Sequence, residues 1–331
     1  MAPMNAPPIR SWLLGSILFS ASGCADPKTD DSQAAGAPPV SAQETPYADY
    51  LARPERDTDP LAWAVAGPWR GAEETVRDAA RNPVETLSFF GVKPSDTVIE
   101  LWPGGGWYSA ILVPYLASGG GSFIAAGFDP EAFDGERRAQ MEARVEDYRA
   151  RLDSVVNLFG PVSITAFSEQ SGPLAPDGTA DVVLTFRNLH NWMAGGYADK
   201  VFVDAFAALK PGGTLGVVEH RLPSAETQDP TASNGYVHED YVKAAAERAG
   251  FVFVESSEIN ANPADRADHP FGVWTLPPNN RAEDANGNAP ADFDPAIYIA
   301  IGESDRMTLK FTKPGTGESA DEVPVSAPSE E

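Results

Sequence analysis

The chain has 331 residues, 42% hydrophobic and 10% aromatic, enough to build the core of one large domain or two small ones. Its 48 Asp and Glu outnumber 24 Lys and Arg, giving a formal charge of −24. That charge repels phosphate backbones, and no basic cluster offsets it, so nucleic acid is not an expected partner.

The first 23 residues carry one positive charge at Arg10, a short apolar run from Trp12 to Phe19, and the small residues Ser20-Ala-Ser-Gly23. This is the pattern of an export signal, and its apolar run is too short to span a bilayer. Cys24 is the only cysteine and stands where a bacterial lipoprotein signal places its acylated residue. The expectation is a lipid anchor at Cys24, a cell-envelope address facing the periplasm, and no other membrane contact. A soluble periplasmic chain is the alternative. With Cys24 acylated, no thiol remains for disulfide, metal or nucleophilic chemistry. Residues 24–46 are a polar, Pro- and Ala-rich tether, and 315–331 an acidic tail; neither has the apolar periodicity that ordering requires. The expected folded body is 47–314.

Within it, Tyr47 to Phe90 reads as helical, with an apolar face from Val76 to Phe90 and a possible kink at Pro83. Strands and helices then alternate. Strands are expected at Val98–Leu101, Ser122–Phe128, Val162–Phe167, Asp181–Phe186, Leu215–Glu219, Phe251–Glu255 and Met307–Phe311. Helices are expected at Tyr108–Leu116, Pro130–Leu158, Val201–Leu209 and Glu239–Ala249. Such alternation with near-continuous apolar strands predicts an α/β fold: a doubly wound, mostly parallel seven-stranded sheet behind an N-terminal helical extension. Ligands of such sheets bind beyond the carboxyl ends of the strands, where strand order reverses.

Residues just past the strands are therefore the site candidates. The first strand carries Glu100 and leads into Trp102 and Gly104-Gly105-Gly106, with a helix after them. Backbone amides at such a helix start favour an anionic group. Phe128 and Asp129 end the second strand, where a carboxylate is placed to accept from ribose hydroxyls. Asn188 and His190 come after the fourth, and Glu219, His220 and Arg221 close the fifth. All four histidines, His190, His220, His238 and His269, are expected near one rim. Asn260, Asn262, His269 and Trp274 lie in an insertion that reads as a lid.

The motif order resembles the class I S-adenosylmethionine-dependent methyltransferases, with their Rossmann-like fold. It runs Val98-Ile-Glu-Leu-Trp-Pro-Gly-Gly-Gly106, Phe128-Asp129, Asp181 to His190, and Leu209-Lys-Pro-Gly-Gly-Thr-Leu-Gly-Val-Val218. Longer stretches, among them Leu184-Thr-Phe-Arg-Asn-Leu-His-Asn-Trp192 and Gly302-Glu-Ser-Asp-Arg-Met-Thr-Leu-Lys-Phe311, are similar to a family of bacterial methyltransferases, many of them exported. The resemblance implies S-adenosylmethionine as cofactor. Glu100, Trp102 and Gly104 to Gly106 would hold its methionine part, Asp129 its ribose, and Phe128 its adenine. His190 would be the general base, with Asn188, Glu219, His220 and Arg221 orienting a small-molecule substrate. Trp102 departs from the pattern, which has glycine there.

Three functions remain open on these residues. They are methyl transfer to a small molecule, non-enzymatic ligand binding by an exported protein on the same fold, and metal-dependent hydrolysis or lyase chemistry at His190, His220 and a carboxylate. No metal is expected, because no HxH or HExxH spacing supports one.

Overall fold

The computed structural model describes residues 46–315. The expected export signal, Cys24 and nearly all of the expected tether and acidic tail lie outside the described residues. No helix of the described part is long and apolar enough to cross a membrane.

Seven strands, β1 (Thr97–Leu101), β2 (Ser122–Phe128), β3 (Ser163–Phe167), β4 (Ala180–Phe186), β5 (Leu209–His220), β6 (Val252–Ser257) and β7 (Arg306–Thr312), form one sheet in the order 3-2-1-4-5-7-6. Strands β1 to β5 are parallel, and β7 runs antiparallel to both β5 and β6. The fold is a doubly wound Rossmann-like α/β sheet, mostly parallel as expected.

Side-chain alternation on the strands feeds two cores, one on each face. Ile99, Leu101 and Val183 join the Leu189–Gly195, Ala198–Ala208 and Glu239–Arg248 helices on one side. Val98, Val182, Leu184 and Phe186 join the Pro83–Phe90 and Ser109–Ala117 helices on the other. The Ser109–Ala117 helix is buried on every side through Leu116, because the N-terminal extension covers its outer face. Trp63 and Trp69 supply that cover together with Tyr50 and Phe159, and the Trp69 Nε1 donates to the Ala110 carbonyl at 2.8 Å. Each such buried aromatic contributes about 1.5–3 kcal/mol.

Two expected helices are broken. The segment to Phe90 forms three short helices, Ala72–Thr75, Asp78–Arg81 and Pro83–Phe90. Asn82 sits at φ 43°, and Pro83 opens the next helix, where its missing N–H has no intrahelical partner to lose. The Pro130 helix is a single turn to Ala132. Phe133 and Asp134 are extended, and the long helix runs Gly135–Phe159. Two helices, Leu189–Gly195 and Pro295–Ile301, carry too few turns to give a periodic signal.

Gly216 on β5 marks a tight contact between helix and sheet. A Cβ there would stand 2.7 Å from Leu184 Cδ2 and 2.8 Å from the Phe90 ring. Gly216→Val is therefore expected to lower unfolding free energy by about 1–3 kcal/mol, measured by denaturant titration. An unchanged midpoint would contradict the packing described.

Candidate active site

Strand order reverses between β1 and β4, whose registers align Leu101 with Thr185. Their carboxyl ends splay into a cleft of about 1030 Å³. The chain leaves both strands through left-handed residues, Trp102 at φ 44° and Arg187 at φ 61°. Such conformations cost a non-glycine residue of order 1–3 kcal/mol, and here they turn both segments abruptly into the cleft wall. Trp102 stands where the pattern has glycine, yet it leaves the loop open. Its ring packs sideways on Phe128 and Trp192, and its Nε1 donates to the Phe167 carbonyl at 2.8 Å. Gly104 and Gly105 line the cleft, and a Cβ on either would meet no atom within 4 Å. Gly106 differs from them. Its φ is 81°, and it backs onto the Tyr148 ring, so it serves packing rather than the cleft.

Glu100 is completely buried beneath the loop. It accepts from Ser109 Oγ at 2.7 Å, which is in turn 3.0 Å from the Tyr148 hydroxyl. Burial raises its pKa to about 7, against the opposing pull of Ser109 and Arg187.

The centre of the site is a buried carboxylate and imidazole. Glu219 Oε2 accepts from the Leu189 amide at 2.6 Å, and its Oε1 from the His220 amide at 2.8 Å and from His190 Nδ1 at 3.0 Å. A carboxylate so placed holds the proton on His190 Nδ1 and leaves Nε2 as the acceptor nitrogen, 3.0 Å from Asn191 Nδ2. The donor atoms of His190, Glu219 and His220 lie within 4.8 Å of one another, a spacing that also suits a metal ion. Their hydrogen bonds favour the acid–base arrangement: the Glu219 oxygens already accept from backbone amides, and His220 Nδ1 lies 2.5 Å from Ser304 Oγ. Burial and the neighbouring His190, Arg187, Arg306 and Arg81 hold His220 well below the usual imidazole range, so it is neutral.

Beside these histidines one carboxylate, Glu303, gathers four arginines. It accepts from Arg77 Nε at 2.7 Å, Arg81 Nε at 3.1 Å and Arg306 Nη1 at 3.0 Å, and Arg187 Nη1 lies 3.5 Å away. Burial alone would raise its pKa; the guanidiniums of Arg81, Arg306, Arg187 and Arg77 outweigh burial and bring it to about 2.

Of the residues expected at the site, Glu100, Trp102, Gly104, Gly105, Phe128, Asn188, His190 and His220 line the cleft, and Glu219 lies directly behind His190. Asn188 acts as a strut as well, donating from Nδ2 to the Leu101 and Trp102 carbonyls. Three expectations need correction. Arg221, one residue past the end of β5 and bridged to Val237, turns away from the His220 side and pairs with Asp305, Glu258 and Glu239 outside the cleft. Asp129 does not line the cleft: its Oδ2 accepts from Ser168 Oγ at 2.8 Å, and its Oδ1 caps Glu131. His238 and His269 do not share the rim. His269 Nε2 pairs with Asp265 at 2.8 Å, and Asp265 accepts from the Tyr236 hydroxyl. The insertion is pinned rather than lid-like at its start. Buried Asn260 donates to Thr86 and Thr308, and Asn262 to the carbonyls of Ile301 and Glu303. Only its later part, with Trp274 and Pro277, walls the cleft.

Sequence reasoning assigned no role to Arg77, Arg81, Glu303, Ser304 or Arg306. A search confined to the residues after each strand misses them. Because β7 is antiparallel, it brings the residues before it to the same rim, and Arg306 pairs with His220.

The chain matches no protein-family model and no curated protein. Solved structures similar to it include a SAM-dependent methyltransferase of Aquifex aeolicus, with 20% identity over 56% of this chain and 87% of that one and a TM-score of 0.42. A TehB-like SAM-dependent methyltransferase of Corynebacterium glutamicum shows 11% identity over 71% and 86%, with a TM-score of 0.38. The [4+2]-cyclase SpnF shows 14% identity over 76% and 84%, with a TM-score of 0.42. None of these reaches a TM-score of 0.5, so ligand and reaction rest on the cleft itself.

The raised pKa of Glu100 has a defined sign. The folded chain keeps this proton up to about pH 7, whereas a solvated carboxyl loses it near 4.5. Its stabilising share is whole below about 4.5 and gone once the pH passes about 7. Glu100→Gln keeps the acceptor for Ser109 and does not ionise. Its stability relative to wild type is therefore expected to rise between pH 4.5 and 7, by about 3 kcal/mol. A pH-independent difference in denaturation midpoints would contradict the assignment.

Proposed function

We propose that this protein transfers a methyl group from S-adenosylmethionine to a small molecule, with His190 as general base. The observation that carries the reading is the buried Glu219–His190 pair opening onto the same cleft as the glycine loop. The cleft fits the cofactor in three respects. Gly104 and Gly105 leave the loop backbone open to close approach. Glu100 beneath the loop is a carboxyl that an ammonium group would hold in its charged form. Phe128, Phe133 and Met141 give one flank an apolar wall for a base. Asp129, turned to Ser168, makes this version differ from the expected ribose contact.

When bound, the cofactor supplies an electrophilic methyl carbon on a sulfonium. The chain itself needs to align the acceptor and take its proton. His190 lines the cleft, and its acceptor nitrogen Nε2, which lies 3.0 Å from Asn191 Nδ2, takes the proton once the acceptor molecule displaces that amide. Once Nε2 is protonated, the imidazolium is stabilised by the Glu219 carboxylate behind Nδ1, so the proton moves without separating charge in a buried site. Asn188 fixes the β1 and β4 ends relative to each other, holding the glycine loop and His190 on one frame.

A second reading, an exported binding protein that uses the same cleft without catalysis, is favoured by the Asp129 contact with Ser168, which takes away the usual ribose handle. Calorimetry on the purified protein with S-adenosylmethionine and S-adenosylhomocysteine separates the two. Methyl transfer predicts micromolar binding that His190→Ala leaves within about twofold. The same variant should lower transfer of a tritiated methyl group into a small-molecule extract about 10²–10⁴-fold. No heat from either ligand would remove the methyltransferase reading; binding without transfer would leave the second.

For the address, we propose the lipid anchor at Cys24. Labelling with a fatty-acid analogue should mark the wild type and not Cys24→Ser, and equal labelling would dispose of it.

A further inference from the structure

A chain with twice as many acidic as basic residues gathers four arginines around Glu303, a carboxylate that lines its cleft. They converge within the breadth of one carboxylate, since each guanidinium lies 3.5 Å or less from Glu303. Three of them, Arg77, Arg81 and Arg187, line the cleft. Three acidic neighbours are held elsewhere, Asp78 by Arg70, Glu74 by Arg151 and Asp305 by Arg221, which leaves exposed Glu73 as the other carboxylate on this wall of the cleft.

The donors in this bowl exceed its acceptors. Among the described residues, the Arg187 side chain has no partner beyond its 3.5 Å approach to Glu303. Buried Nη2 of Arg77 and Nε of Arg306 have none at all. Arg81 is fixed by its guanidinium 4.7 Å from the centre of the Trp107 ring, with only Nε engaged by Glu303. Buried guanidinium N–H groups without acceptors are costly, and an anion in the cleft would complete this set. A purely structural ion pair would need one arginine, or two, for one carboxylate.

We propose that Arg77, Arg81 and Arg187 seat a phosphate-type dianionic group of the acceptor molecule, beside the imidazole that takes its proton; this deepens the methyl-transfer reading and rests on it. Planar guanidinium forks match tetrahedral oxyanions two oxygens at a time. Glu303 orients the forks and keeps their mutual repulsion tolerable before the anion arrives. The acceptor is thus a small phosphorylated or comparably dianionic compound with a nucleophilic group a short distance from its anion.

The test is calorimetry of inorganic phosphate on the purified protein, with and without saturating S-adenosylhomocysteine. Phosphate should bind in both conditions. Its affinity should fall about tenfold or more in Arg187→Gln and in Arg77→Gln, with partial return in Arg187→Lys. Arg248→Gln, an exposed pair with Asp199, should leave it unchanged. Melting temperatures are recorded alongside. If Arg187→Gln unfolds, Arg77→Gln, whose side chain is 24% exposed, carries the test. No phosphate binding, or binding indifferent to both arginines, would overturn the proposal. Displacement of phosphate by S-adenosylhomocysteine would overturn it too, by assigning the arginines to the cofactor's own carboxylate. Phosphate binding without any S-adenosylhomocysteine binding would uphold the anion seat and remove the methyl-transfer reading instead.

Discussion

The Glu303 carboxylate holds the site together. It joins the Asp78–Arg81 helix of the N-terminal extension, the exit of β4 at Arg187 and the start of β7 at Arg306. These segments are far apart in sequence, and each brings a positive charge that would repel the others. Burying charges costs several kcal/mol per ion unless they are paired and hydrogen-bonded. One carboxylate among four guanidiniums pairs them incompletely, which is the ground for the proposed anion seat. Nearby, the Glu219–His190 pair is held in line by backbone amides on both carboxylate oxygens. In the proposed reaction the first arrangement seats the acceptor's anion and the second takes its proton.

The antiparallel β7 is what brings these groups together. In a sheet of parallel strands, only residues after each strand reach the carboxyl rim. Reversing β7 sends Glu303, Ser304 and Arg306 there from the opposite chain direction, and Ser304 reaches His220. Most of the fold was legible in the sequence because the parallel strands are near-continuous apolar runs with polar or turn-forming residues beyond them. Glu100, Gly104, Gly105, His190 and His220 were legible by their position after, or at the end of, such runs. The arginine bowl was not, because Arg77 and Arg81 lie between the apolar positions of a stretch that reads simply as an amphipathic helix. The Glu303-to-Arg306 segment precedes its strand.

Two of the left-handed non-glycine residues stand at the cleft. Trp102 and Arg187 adopt left-handed conformations that bulky residues avoid, and both stand at the strand exits flanking the switch point. At Trp102 the strain is offset by a ring packed against Phe128 and Trp192. The side chain that departs from the family pattern is thus part of the wall of the cleft. Arg221 and Asp129 show the converse. Each sits at the end of a strand, as a site residue should, yet side-chain alternation and a local serine turn them outward. Position along the chain limits what a residue can reach, and its immediate partners decide which way it faces.

The decisive observation is a crystal structure of the protein with S-adenosylhomocysteine. The ligand is predicted to lie along the Gly104–Gly105 loop, with its amino group toward Glu100 and its base against Phe128 and Phe133. Its sulfur is predicted on the side of the cleft that His190 faces. Ligand density away from this loop, or a sulfur screened from His190 by the protein, would contradict methyl transfer at this site.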